Sequence, residues 1–154
     1  MENLGSVFNA NLTVGTVTEP PLRPKLLLVD DQAIDIQVLS QIFKPDYQVF
    51  GALSGEKALL LCGRVRPDLV LLDVVMPGLD GFAVCQQLKA DPVLRGIPVI
   101  FVTAHSDEAS EARGLALGAV DFIAKPINPT IVRARVQTHL TLNAYRLHLE
   151  GLVA

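Results

Sequence analysis

Asp30, Asp31, Asp73, Thr103 and Lys125 are residues of this sequence whose types and positions suit them to shared chemistry. Each stands at the carboxyl end of an apolar run. Leu26-Leu27-Leu28-Val29 leads into Asp30-Asp31, Leu69-Val70-Leu71-Leu72 into Asp73, the run from Pro98 to Thr103 ends on its own hydroxyl, and Asp121 to Ala124 leads into Lys125-Pro126. Three carboxylates on one rim repel one another if left alone. A hard divalent cation such as Mg²⁺, which prefers oxygen ligands, relieves that repulsion. An ammonium and a hydroxyl opposite the carboxylates could then hold an incoming phosphoryl group. A carboxylate nucleophile, a charge-neutralising metal and donors for the equatorial oxygens are what phosphoryl transfer requires.

The elements that must position these groups follow from periodicity. Leu26–Val29 is a continuous apolar run, as expected of a strand covered on both faces. From Gln32 to about Phe43, Ile34, Val38, Leu39 and Ile42 recur at helical spacing. Pro45-Asp46 breaks that helix, and Tyr47 to Leu53 reads as a second strand. Ser54 caps a helix running to about Val65. Asp68 to Asp73 is a third strand, Met76-Pro77-Gly78 a turn, and Gly81 to Lys89 a helix closed by Asp91-Pro92. Pro98 to Thr103 is a fourth strand, Asp107 to Leu117 a helix ended by Gly118, and Asp121 to Ala124 a fifth strand. Asn128 caps the last helix, with Pro129 at its first position. Strict alternation of apolar strands with helices predicts an α/β fold: a doubly wound, five-stranded parallel sheet with helices on both faces. Ligands of such sheets bind outside the carboxyl ends of the strands, where the five polar groups fall.

Composition sets outer bounds. The 154 residues fit one domain, and a 50% hydrophobic, 19% charged chain can bury a core. A formal net charge of -3 argues against direct nucleic-acid binding through bulk charge. Two cysteines without CxxC spacing, Cys62 and Cys85, point to a reducing, cytoplasmic compartment and to buried structural thiols. The sequence predicts no membrane span and no signal peptide. Residues 1–24, ending in Glu19-Pro20-Pro21-Leu22-Arg23-Pro24, lack a period and are expected to form a flexible N-terminal arm.

With these residues in place, the chain resembles the receiver domain of bacterial two-component response regulators, the CheY-like family. The motifs that carry the resemblance are Leu28-Val29-Asp30-Asp31, the stretch Leu72-Asp73-Val74-Val75-Met76-Pro77-Gly78-Leu79-Asp80-Gly81, Val102-Thr103-Ala104, and the stretch from Gly118 to Pro126. They occur in family order over roughly residues 25–140. The resemblance implies the flavodoxin-like strand order 2-1-3-4-5 and a phosphoacceptor at Asp73, attacking a phosphohistidine donor. It implies direct Mg²⁺ ligation by Asp31, Asp73 and the backbone carbonyl of Val75, with Asp30 acting through a metal-bound water. It also implies pairing of Lys125 with phosphoryl oxygens, a switch built from Thr103 and Phe122, and a cis Lys125–Pro126 bond. The implied partner is a sensor histidine kinase or phosphotransfer protein, and the implied role is a signalling switch rather than a conventional enzyme. Val75 and His105, two residues beyond the acceptor and the threonine, occupy positions that vary in this family and influence phosphoryl lifetime.

The last helix is longer than the sheet needs. From Asn128 to about Glu150 it would span about 35 Å. Val132, Val136, Leu140 and Leu147 form an apolar stripe interrupted by Asn143, and His139 and His148 read as solvent-facing. Residues 141–154 are therefore expected to be a helical extension, either a frayed end or a connector to an output domain, and the stripe is expected to supply apolar area for a homodimer contact, with Arg133 and Arg135 offering partners for acidic groups across it. The segment from Val132 to Leu140 resembles connectors to diguanylate cyclase or HD-type output domains. Two rival readings stand beside the switch. One is a pseudo-receiver acting as a phosphorylation-independent interaction module. The other is a flavin-binding flavodoxin-like protein, which would need a phosphate-cradling loop where this chain has Asp30-Asp31-Gln32.

Overall fold

The computed structural model describes residues 22–151; most of the expected N-terminal arm and the last three residues lie outside them. Among the described residues the chain alternates β1 (Lys25–Val29), α1 (Ala33–Phe43), β2 (Gln48–Ala52), α2 (Gly55–Val65), β3 (Leu69–Leu72), α3 (Gly81–Ala90), β4 (Val99–Thr103), α4 (Glu108–Ala116), β5 (Asp121–Ala124) and α5 (Pro129–Leu149). The strands pair in parallel in the order β2-β1-β3-β4-β5. The expected doubly wound α/β sheet, its strand order and the long C-terminal helix are all present.

Side chains alternate across each strand and feed two cores. Leu27, Val29, Val70, Leu72 and Phe101 face one side, where they meet Cys62 of α2 and Phe82, Cys85 and Leu88 of α3. Leu26, Leu28, Leu69, Leu71, Ile100 and Val102 face the other, where Leu39 and Phe43 of α1 and Val132 and Val136 of α5 cover them. The central strands are fully enclosed, which is why they read as unbroken apolar runs. The edge strand β2 is only partly covered, and it is shorter than its sequence suggests. Tyr47 packs edge-on against Phe43 at 5.6 Å between ring centroids instead of extending β2, and Leu53 is exposed.

Helix starts are fixed by side-chain caps. Ser54, Asp80, Asp107 and Asn128 accept from the backbone N–H groups of Lys57, Ala83, Ser110 and Ile131, each contact stabilising its helix by about 1 kcal/mol. α1 lacks such a cap from Gln32; the carboxylate of Asp30 takes the Gln32 N–H instead, at 2.9 Å. α4 ends at Gly118, whose φ of +107° is open to glycine and costly for other residues. Arg23 and Pro24, placed by sequence in the arm, are tied down: the Pro24 carbonyl accepts from the Gln48 N–H and Arg23 donates to the Lys44 carbonyl.

The last helix departs from expectation in three ways. Val132 and Val136, expected in a helix-to-helix contact, are fully buried against the sheet. His139 is not solvent-facing. Its ring nitrogen Nε2 lies 3.0 Å from Asp121 Oδ2, and its side chain is 17% exposed. Arg135 is also engaged within the chain, its guanidinium reaching both Asp121 oxygens at 3.0 and 3.1 Å. Asp121 opens β5 directly under the second and third turns of α5, a neighbourhood that helical spacing cannot reveal. Further on, Arg146 donates to the Gly96 carbonyl at 3.3 Å and to Glu150, so the extension still touches the loop before β4. Leu142, Tyr145 and Leu149 remain exposed.

Candidate phosphoryl-acceptor site

β1 and β3 are neighbours in register, with Val29 opposite Leu72. The residues that follow them, Asp30 and Asp73, are thus delivered side by side. The Asp73 N–H donates to the Val29 carbonyl at 2.9 Å and locks the pair. This is the point where the connections leave β1 and β3 in opposite directions, the usual ligand crevice of such sheets. Oxygen atoms of Asp30, Asp31 and Asp73 lie within 4.8 Å of one another. Asp30 and Asp73 are buried, at 2% and 8% exposure. A compact set of carboxylate oxygens fits a hard dication such as Mg²⁺.

Lys125 enters from the far edge. It follows β5, and its backbone N–H donates to the Thr103 carbonyl at 3.0 Å. Its side chain then crosses the mouth of β4 to reach the carboxylates. Nζ lies 2.6 Å from Asp30 Oδ2, 3.0 Å from Asp35 Oδ2 and 3.6 Å from Asp73 Oδ2. Burial works against the charged ammonium, but hydrogen bonds to Asp30 and Asp35 and the charges of Asp73 and Asp30 outweigh it and hold its pKa above the usual lysine value. Burial likewise pushes the Asp30 carboxyl above its ordinary range, against the opposing pull of Lys125 and the Gln32 N–H. The Lys125–Pro126 peptide bond is cis.

Asp73 is held from behind. Its Oδ1 accepts from the Val74 N–H at 2.7 Å, and the Gly81 N–H donates to the Val74 carbonyl at 2.7 Å. Val75 follows in the loop with its side chain half exposed. Thr103 is fully buried at the end of β4, and its hydroxyl accepts from the His105 N–H at 3.1 Å. Phe122 lies inward in this structure, 8% exposed, with its ring 5.8 Å from that of Phe101. Gly114 of α4 closes over both rings, because a Cβ there would sit 2.9 Å from Phe101. His105 is exposed at the rim.

The structure thus gathers Asp30, Asp31, Asp73 and Lys125 at one rim and sets Thr103 beside Lys125. Two contributors escape a reading of the sequence. Asp35 is a second close partner of Lys125; its place in the first turn of α1, just after the Asp30-Asp31 pair, is the available signal. Gly81 backs directly on the Asp73 main chain. A cleft of about 700 Å³ opens at the opposite end of the sheet, lined by Lys89, Arg95, Pro98, Val120 and Arg146 among others, and holds none of these residues. No helix among the described residues is long and apolar enough to cross a membrane.

Comparison with known proteins agrees with this geometry. Residues 26–137 match the family described as response regulator receiver domain. The chain is 40% identical over 129 residues to the response regulator PleD of Caulobacter vibrioides, covering 83% of this chain and 28% of that protein. It is 42% identical over 115 residues to a Vibrio cholerae protein named as a probable cyclic di-GMP phosphodiesterase, covering 75% of this chain and 26% of that one. Among solved structures, the signal receiver domain of a signal transduction histidine kinase from Syntrophus aciditrophicus superposes with a TM-score of 0.71 at 37% identity, covering 77% of this chain and 90% of that one. The chain therefore spans little more than a quarter of the length of these two curated relatives. Its fold, its motifs and its matched span make it a member of the response regulator receiver domain family.

Proposed function

We propose that this chain is a working receiver, in which Asp73 accepts a phosphoryl group from a phosphohistidine donor and the domain changes conformation in response. Receiver domains of response regulators are in general phosphorylation-dependent switches rather than catalysts. The observation that supports this reading best is the meeting of Lys125 with the carboxylate cluster, Nζ lying 3.6 Å from Asp73 Oδ2.

An Asp73 carboxylate oxygen forms a bond to phosphorus as the P–N bond of the donor breaks, and the imidazole leaves. In a separate hydrolytic step water attacks phosphorus, the bond from the Asp73 oxygen to phosphorus breaks, inorganic phosphate leaves and the Asp73 carboxylate is restored. Asp31, Asp73 and the Val75 carbonyl would hold Mg²⁺, with Asp30 acting through a water. Bound there, the ion would neutralise charge on the phosphoryl oxygens. Lys125 donates to one of those oxygens. Thr103, whose hydroxyl accepts from the His105 N–H, turns to donate its own proton to another, and its movement alters the packing around Phe122 and the neighbouring ring of Phe101.

The receiver proper is taken as residues 25–140. The stretch from residue 141 onward would serve as a connector to an output domain or as a helix-to-helix dimer contact, with Leu142, Tyr145 and Leu149 supplying apolar surface. A sensor histidine kinase or phosphotransfer protein would be the donor, in the cytoplasm. The phosphodiesterase relative favours an output in cyclic di-GMP turnover.

The test is intact-mass spectrometry after incubation with acetyl phosphate. Wild type with Mg²⁺ should gain one phosphoryl group; the gain should vanish with a chelator and in Asp73→Asn. Equal labelling of wild type and Asp73→Asn would overturn the assignment. No uptake by folded, Mg²⁺-saturated wild type would favour a phosphorylation-independent interaction module.

A further inference from the structure

Lys125 carries three N–H donors. Two are committed, to Asp30 at 2.6 Å and to Asp35 at 3.0 Å. The approach to Asp73, at 3.6 Å, is longer than a hydrogen bond. The third donor is free for the new oxygens that a phosphoryl group brings to Asp73, but drawing Nζ in from 3.6 Å to hydrogen-bond distance shifts it away from one of its present partners. Asp30 is ill suited to yield: its side chain is 3% exposed, and releasing the lysine would strand a buried carboxylate. Asp35 is well suited. Its side chain is 34% exposed in the first turn of α1, and water can replace the lysine there at small cost. Asp35 also adds a fourth negative group to Asp30, Asp31 and Asp73 around a single ammonium.

We propose that Asp35 is a positioning residue that competes with the phosphoryl group for Lys125. Its carboxylate holds the lysine in the unphosphorylated arrangement and is displaced when Asp73 is modified, so it sets how tightly the phosphorylated state is held. This inference rests on the receiver reading above. Its charge has opposite consequences for two ligands. It attracts a cation to the cluster and repels an anionic phosphoryl group from it.

The experiment is isothermal titration calorimetry on wild type, Asp35→Asn and Asp35→Ala, first with MgCl₂ alone and then with beryllium fluoride at saturating Mg²⁺. Circular dichroism confirms that each variant is folded. Both substitutions should weaken Mg²⁺ binding about threefold and tighten beryllium fluoride binding about five- to tenfold, effects scaled to a partly solvated charge. Structural damage would weaken both ligands, so the opposite signs identify the charge. Unchanged or weakened beryllium fluoride binding in both variants, with wild type binding normally, overturns the role of Asp35 and leaves the receiver reading intact. A wild type that binds neither ligand overturns both.

Discussion

Replacing Lys125 by alanine is expected to slow phosphoryl uptake from acetyl phosphate about a hundredfold, the usual cost of removing one preorganised donor from a site of developing charge. It should also lower folding stability, by about 2–3 kcal/mol in the absence of divalent ions. Lys125 faces Asp30, Asp35 and Asp73, and its side chain is 16% exposed. Removing it leaves the buried Asp30 without its cation, and breaking such a pair from one side is strongly destabilising. Part of the cost is relieved because Asp30, whose pKa is already raised by burial, can take up a proton. The uptake rate is read by mass spectrometry over time and the stability by guanidinium unfolding with chelator present. Mg²⁺ should stabilise the variant more than wild type, because it restores positive charge to the same cluster. An alanine variant with wild-type uptake and wild-type stability would remove Lys125 from both roles.

A second large effect is expected where no chemistry occurs. Gly81 begins α3 directly behind the acceptor. A Cβ at this position would lie 2.0 Å from the Asp73 carbonyl oxygen and 2.9 Å from the Val74 Cα. Both are backbone atoms, so no rotamer change can make room. Gly81→Ala must therefore push α3 away from the β3 terminus, at a cost of about 4 kcal/mol or more. That is a large share of the stability of an ordinary domain. Gly63 provides the control. It lies inside α2, and a Cβ there would meet nothing within 4 Å, so Gly63→Ala should gain about 0.5–1 kcal/mol. Denaturant unfolding of the two variants should thus give the same chemical change with opposite signs. Equal stability of Gly81→Ala and wild type would show that the Asp73 backbone is not clamped as described.

These two sites mark what can and cannot be read in the sequence. Strands enclosed on both faces announce themselves as unbroken runs such as Leu69–Leu72, and Ser54, Asp80, Asp107 and Asn128 announce helix starts because capping is local chemistry. The rim is legible because parallel strands point their carboxyl ends the same way, so residues ending different runs must meet. Asp35 is not legible as a partner of Lys125. Its place in the first turn of α1 sets it close after the end of β1, but the reach of a lysine 90 residues away depends on side-chain paths across β4. His139 and Arg135 are misplaced by spacing for a related reason. Their shared partner Asp121 opens a strand, and its position under α5 follows from the tilt of a helix over a sheet. The fit of Gly81 against Asp73 depends on tenths of an ångström, which periodicity does not carry.

Asp73, among four neighbouring carboxylates, is expected to be the one that becomes an acyl phosphate. The measurement is peptide mapping by mass spectrometry after the full chain has been incubated with acetyl phosphate and Mg²⁺ and reduced with borohydride. Reduction converts an acyl-phosphorylated aspartate to homoserine and leaves free carboxylates untouched. The predicted result is homoserine in place of Asp73, with Asp30, Asp31 and Asp35 recovered unchanged. Homoserine at any of those three positions, with Asp73 intact, would place the acceptor on another carboxylate.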